Sequence, residues 1–298
     1  MRALVTGGTG FIGSNLAGRL IREGWGVTIT GRKGEQEIPE LKNPVVEGDL
    51  GKIEWHKLGR FDAVFHQAAI TDTLVTDEKE MMRVNCEEAR RLFEFAKESG
   101  CKKIVYASST AVYGAGKTPY RETDDPVPLN AYGRSKLELD KFAMKFASEN
   151  QDMTVVGLRY CNVYGQGESH KGKMASMALQ IAKQMKIGNP KLFKWGEQKR
   201  DYIFVKDVVE ANLLALEAKK SVVLNCGGGK ARSFNELFGI LKNEMGAERE
   251  IEYVDNPYSK SYQEHTECDT SLARKEIGFA PKYSLAEGIA EYYRSGKL

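Results

Sequence analysis

Short apolar runs rich in Val, Ile and Ala recur through the first half of the chain, at residues 3–6, 27–30, 45–47, 63–66 and 104–107. They are apolar at consecutive positions rather than alternate ones, as strands of a parallel sheet covered on both faces must be. Between them lie stretches with helical periodicity, at 12–23, 79–99 and 131–149. Met82, Ala89, Leu92, Phe93 and Ala96 form an apolar stripe along the second of these, and Leu139, Phe142, Ala143 and Phe146 along the third. The alternation predicts an α/β fold built on a doubly wound parallel sheet. The second half continues with a strand at 154–158, a Gly-rich loop at 164–172, a helix at 174–186, an extended segment at 202–205 and a helix at 208–218. A strand at 222–225, a helix at 233–245, a strand at 251–254 and two short helices, one from about 269–271 and one at 284–293, complete it. The pattern divides into a nucleotide-binding domain over 1–160 and a smaller C-terminal lobe over 161–298, with 208–225 contributing to the larger part.

Composition narrows the class. Of 298 residues, 41% are hydrophobic and 29% charged, which excludes disorder as the main state. Lys plus Arg number 44 and Asp plus Glu 41, a net charge of +3 that is too even to call for a nucleic acid or an anionic membrane as partner. The five Cys include no C-x-x-C pair, so neither a metal site nor a disulfide framework is expected, and a reducing cytoplasm is the simplest home. No apolar run reaches the ~18–20 residues of a membrane span. Met1-Arg2-Ala3-Leu4-Val5 reads as a first strand rather than a signal peptide.

Candidate chemistry begins at Thr6-Gly7-Gly8-Thr9-Gly10-Phe11-Ile12-Gly13, between the first strand and the first helix. That context is the one a dinucleotide fingerprint needs: Gly7 for a tight turn, Gly10 for backbone approach to a pyrophosphate, Gly13 for close packing, and free helix N–H groups at Phe11 and Ile12. A Gly-rich turn without a ligand is the plainer reading. An acidic residue about 20 positions further on would select NAD by binding a ribose hydroxyl. Thr30-Gly31-Arg32-Lys33 has no carboxylate and two cations, so NADP is expected, with NAD as the alternative and solvated loop cations as the plainer reading. Asp49 and Leu50 after the third strand, Gln67-Ala68-Ala69 after the fourth, and Asn85 on the following helix complete the expected cofactor contacts.

Tyr132 and Lys136 stand four apart on a predicted helix, hence on one face. A phenol with a pKa near 10 needs about 4 kcal/mol of differential stabilisation to act as a base near pH 7. An ammonium four residues away and a cationic nicotinamide are expected to supply it. Ser109, at a strand end, would orient the reacting hydroxyl.

With Asp49-Leu50, His66–Ala69, Ser108–Gly114, Arg159–Gly165 and Arg200–Asp207 added, the whole chain resembles the extended short-chain dehydrogenase/reductase family of sugar-nucleotide epimerases and dehydratases, built on a Rossmann sheet. The resemblance implies that Tyr132 is the acid/base, that Lys136 lowers its pKa and holds the nicotinamide ribose, and that Ser109 orients the sugar hydroxyl. It implies further that Asn162 and Arg200 hold the diphosphate of a nucleotide-sugar. Glu168-Ser-His-Lys-Gly-Lys-Met-Ala-Ser176 is most similar to the heptose 6-epimerase branch, which acts on an ADP-heptose. In that branch the match to Lys171 is a second acid/base, and His170 and Tyr262 fall on substrate-binding positions; a loop cation is the plainer reading of Lys171. The implied reaction passes through a transient ketone with reversible hydride transfer, in a homo-oligomer. The alternatives are a UDP-hexose 4-epimerase, which needs only Tyr132 and Ser109, and a non-catalytic nucleotide-binding scaffold.

Overall fold

The first strand, β1 (Arg2–Thr6), sends Ala3 and Val5 into one buried cluster and Leu4 into another on the opposite face. That two-sided burial is what its unbroken apolar run requires. A computed structural model describes residues 1–32, 45–72, 77–257 and 263–298. Helix α1 (Phe11–Arg22) leads to β2 (Gly26–Gly31), β3 (Val46–Glu47) and β4 (Ala63–His66). Helices α2 (Glu78–Met82) and α3 (Glu88–Glu98), β5 (Lys103–Ser109), α4 (Ala131–Glu149) and β6 (Thr154–Tyr160) follow.

The second half contains β7 (Asn162–Tyr164), α5 (Met177–Ile187), β8 (Lys191–Phe193), β9 (Lys199–Phe204), α6 (Val205–Ala215) and β10 (Val222–Cys226). The chain continues through β11 (Ala231–Ser233), α7 (Phe234–Met245), β12 (Glu252–Val254), α8 (Ser271–Ile277) and α9 (Leu285–Arg294).

Seven strands pair in parallel in the order β10-β6-β5-β4-β1-β2-β3. The chain leaves β1 toward β2 on one side and returns through β4 on the other, so the carboxyl ends of β1 and β4 frame an open crevice. One face is covered by α1, α6 and α8 through Leu16, Leu20, Val208, Ala211 and Ile277. The other is covered by α3 and α4 through Leu92, Phe93, Leu139 and Phe146. A smaller lobe of α5, α7 and α9 packs on a three-stranded sheet, β11-β9-β7, with β8 and β12 paired beside it. No helix among the described residues is long and apolar enough to cross a membrane.

Several elements differ from the sequence reading, each for a physical reason. The helix expected over 79–99 is broken by a π-turn at Arg83–Glu87. There Asn85 is drawn to Ile70 and Ser135, and the Cys86 thiol donates to the Ser135 carbonyl at 3.0 Å. The helix expected from residue 174 starts at Met177, capped by Ser176, because a 3-10 segment at Ser169–Met174 with Gly172 at φ 54° precedes it. Helix α6 starts three residues earlier than its apolar pattern suggests. The Asp207 carboxylate in its first turn accepts from the backbone of Lys282 and Tyr283, at 2.9 and 3.2 Å. Strands β7, β8 and β11 have three residues each, too few to show a period, and the sequence reading passes over them.

Candidate active site

Two adjoining cavities open at the carboxyl edge of the sheet. The larger, about 540 Å³, is lined by Gly7, Gly10, Phe11, Ile12 and Gly13 from the first turn. Gly31 at the end of β2 and Arg32 after it, Asp49 and Leu50 after β3, and Gln67, Ala68 and Ala69 after β4 line it as well. The turn is built to admit a ligand backbone-first. A Cβ at Gly13 would lie 2.1 Å from the Gly7 carbonyl oxygen, so only glycine lets α1 start this close to β1. Gly10 caps α1 with no side-chain acceptor, which leaves the first-turn N–H groups facing the cavity. These donors and the positive helix end fit a pyrophosphate.

The cradle therefore fits a dinucleotide. At the end of β2, a Cβ on Gly31 would meet the Thr9 hydroxyl at 2.1 Å, so Thr9 already fills the space a side chain there would take.

Most of the expected cofactor residues meet on this wall; Tyr132 and Lys136 line the adjoining second cavity. Asn85 lines neither cavity. It is fully buried behind the β4 exit, accepting from the Ile70 N–H at 2.8 Å and donating to the Ile70 carbonyl at 3.0 Å. Its expected cofactor contact is corrected to that of a clamp on the backbone turn, because the π-turn points its amide inward. His170, expected on the substrate, lines the first cavity only, whereas Lys171 beside it on the 3-10 segment lines both. Lys33 and Tyr262 lie outside the described residues.

The second cavity, about 310 Å³, brings together Ser109 from the end of β5, Tyr132 and Lys136 from the first turns of α4, and Asn162 from β7. Lys171 and Arg200 complete it, and Phe11, Ile12, Gln67 and Lys171 belong to both cavities. Asn130 caps helix α4, its side chain accepting from the Gly133 N–H, so half-buried Tyr132 stands in the first turn and fully buried Lys136 one turn on. The Lys136 ammonium donates to the Ala107 carbonyl at 2.8 Å and lies 5.9 Å from the Tyr132 ring centre. Burial brings its pKa down to about 8, opposed by Cys86 and Asp140.

Burial also raises the Tyr132 phenol, and the hydrogen bond with Ser109 acts against that rise. The lowering expected from the Lys136 ammonium together with a cationic nicotinamide is not part of this balance, which involves burial and Ser109 only. In the free protein desolvation outweighs the Ser109 hydrogen bond, and the Lys136 ammonium is bound to the Ala107 carbonyl. His66 Nδ1 is hydrogen-bonded with the Thr6 hydroxyl at 2.8 Å, and burial with the nearby Lys136 charge drives its pKa down to about 3, so it is a packed neutral histidine.

Lys171 reaches the site from the 3-10 segment, its ammonium 5.5 Å from the Phe11 ring centre. Burial lowers its pKa and Glu168 opposes the shift. Glu168 is itself buried and holds the loop by accepting from the Gly165 N–H and the Ser176 hydroxyl, at 3.0 and 2.8 Å. Asn162 donates to the Thr266 hydroxyl at 2.9 Å, and the Arg200 guanidinium lies 5.5 Å from the Phe234 ring centre.

A model of the NAD dependent epimerase/dehydratase family matches residues 3–227. The chain belongs to that family. Among its curated relatives is an ADP-L-glycero-D-manno-heptose-6-epimerase of Brachyspira hyodysenteriae, 34% identical, with 97% of this chain and 96% of the relative aligned. The Helicobacter pylori enzyme of the same name has a crystal structure with TM-score 0.90 and 35% identity, covering 99% of this chain and 95% of its own. The protein MoeE5, solved with UDP-glucuronic acid and NAD, has TM-score 0.88 and 30% identity, covering 99% of this chain and 100% of its own. The epimerase-family fold thus runs through both lobes.

Sequence reasoning passed over Tyr160, Tyr202 and Ser176 in the second cavity and Arg83 and Glu88 in the first. Tyr160 is anchored to Gln67 and Asn212 at 3.0 and 2.8 Å, contacts from three separate elements that no local pattern announces.

Proposed function

We propose that this protein is a sugar-nucleotide epimerase that inverts C6″ of an ADP-heptose. The observation that carries the reading is the second cavity, where Tyr132 with Ser109 and the half-buried Lys171 share one wall-to-wall space beside the dinucleotide cradle. When bound, an oxidised nicotinamide dinucleotide supplies reversible hydride chemistry, carbinol to ketone and back, and a positive ring charge. Ser109 orients the reacting hydroxyl, and the Tyr132 oxygen accepts its proton and later returns it. Lys136 holds the nicotinamide ribose, its position set by the Ala107 carbonyl. Asn162 and Arg200 bind the diphosphate, charge-assisted from the arginine. Lys171 handles the proton on the second face, because a side-chain carbon that turns over presents its oxygen at a new place. The names of the relatives support the ADP-heptose.

The test is conversion of ADP-heptose, UDP-glucose and UDP-N-acetylglucosamine by the purified protein, followed by proton NMR of the sugar signals. Interconversion of the two C6″ epimers of ADP-heptose is the expected result; turnover of the UDP-hexoses alone would replace this reading with 4-epimerisation. Lys171→Met should lower kcat by about 10²–10⁴-fold while the protein still binds dinucleotide. Wild-type turnover in that variant would remove the second acid/base.

For the cofactor we assign NADP, supported by the missing carboxylate at Gly31 and by Arg32 on the cavity wall. The structural neighbour solved with NAD supports the alternative. Calorimetry should give a Kd for NADP at least about tenfold below that for NAD, roughly 1.4 kcal/mol, and Arg32→Glu should abolish the difference. Equal affinities, or tighter NAD, would overturn the assignment.

A further inference from the structure

Behind the wall of the second cavity, two thiols touch. The Cys161 and Cys268 Sγ atoms are 3.4 Å apart, and neither cysteine forms a disulfide in this structure. Cys161 lies between Tyr160 and Asn162 and lines the cavity itself, while Cys268 is 2% exposed and lies behind it. Val112, Tyr113 and Tyr120 pack around the pair, and the Thr110 hydroxyl and the Asn162 amide approach the Cys161 sulfur at 3.8 and 3.7 Å. We propose that Cys161 and Cys268 are a site of reversible oxidation, closed to a disulfide by a hydroperoxide that enters through the substrate cavity.

A metal is the competing use of these residues, because the Asp201 carboxylate also lies within 4.8 Å of both sulfurs. Its oxygens are already taken, accepting from the N–H groups of Gly228, Gly229 and Cys268 at 2.7, 3.1 and 3.1 Å. The carboxylate therefore ties down backbone, and two thiols without a third donor make a poor metal site. For a disulfide the requirement is smaller. The sulfurs must close from 3.4 Å to about 2.05 Å, along a line on which they are already in contact.

The chemistry balances with the peroxide as oxidant. Cys161, the sulfur that the cavity reaches, attacks the peroxide oxygen and becomes a sulfenic acid, releasing water or an alcohol. The Cys268 sulfur, already in contact with Cys161, then attacks the sulfenic acid and gives its proton to the departing hydroxyl, so that a second water leaves. The bond joins two segments that the Asn162–Thr266 hydrogen bond already spans, Cys161 just before β7 and Cys268 in the stretch pairing with Tyr120. Drawing them together shifts Asn162 on the cavity wall, and a displacement near 1 Å in such a site costs about a hundredfold in rate.

The experiment treats the whole protein with hydrogen peroxide, quenches in acid, and maps thiols and disulfides by mass spectrometry. The expected product has three of the five thiols left and a Cys161–Cys268 peptide pair, with turnover lost and restored by dithiothreitol. Cys268→Ala should keep its turnover before treatment and resist reversible inactivation. A disulfide to Cys226, a sulfinic acid at Cys161 with Cys268 still free, or no loss of thiols would each overturn the proposal. The mapping needs no substrate, so its failure is separate from any failure of the proposed epimerisation.

Discussion

Tyr132→Phe is expected to lower kcat by about 10³-fold, within the 10²–10⁴ range for removing a general acid/base, with little change in KM. The substitution deletes one oxygen and keeps the ring, so the wall of the cavity and the start of α4 stay in place. Only the hydrogen bond with Ser109 is lost, a change of about 1 kcal/mol in stability. The fall in kcat with KM preserved is the signature of an interaction made in the transition state rather than in the bound substrate. Steady-state kinetics on ADP-heptose, with dinucleotide affinity by calorimetry, check both halves. A variant turning over within threefold of wild type would remove the phenol from the chemistry and with it the proposed function.

The largest effect on stability is expected from Arg159→Met. Arg159 and Asp140 are 7% and 3% exposed and pair at 2.9 Å, joining β6 to α4 one turn beyond Lys136. Tyr106 donates to the second Asp140 oxygen at 3.0 Å, and the Arg159 guanidinium donates to the Tyr113 hydroxyl at 2.7 Å. Removing the cation leaves a buried carboxylate without its counter-charge, which costs about 3–5 kcal/mol at neutral pH. Burial already holds the Asp140 carboxyl above its usual range although Arg159 pulls it down. Without Arg159 it must rise further. An acid whose folded pKa is raised loses stability as pH rises through that value, so the deficit should be widest near neutrality and shrink on acidification, as Asp140 takes up a proton. Urea unfolding across pH measures this, and the double variant Asp140→Leu/Arg159→Met should be more stable than Arg159→Met alone. A loss below about 1 kcal/mol, under the usual range for a broken buried pair, or a gap that does not narrow in acid, would show that Asp140 does not carry a buried charge.

How much of this could be read from the chain differs by residue, and for physical reasons. The Gly7–Gly13 turn and the Tyr132–Lys136 spacing are local: glycine freedom and the helical repeat act within a few residues, so the type of chemistry shows in the string. The same locality explains why α4 has the bounds its stripe suggests, Ala131–Glu149. Asn85 shows the opposite case. Its residue type suits a ligand, yet the π-turn and its bonds to Ile70 and Ser135, 15 and 50 residues away, turn it from the cavity. Of the three-residue strands of the smaller lobe, β7 and β11 form because β9 offers them partners and β8 pairs with β12, and a periodicity needs more residues than they contain.

The parallel α/β architecture, the glycine turn between β1 and α1, and the placing of Tyr132 and Lys136 on one helix face follow from covalent neighbours and apolar spacing, which are properties of the string itself. Charge state and proximity across the fold do not. The raised phenol of Tyr132, the lowered ammonium of Lys136, the buried Asp140–Arg159 pair and the contact between Cys161 and Cys268 all depend on desolvation and on segments up to 107 residues apart. Burial and through-space fields exist only once the lobes have packed, because the energy of a charge is set by what surrounds it and not by what precedes it in the chain.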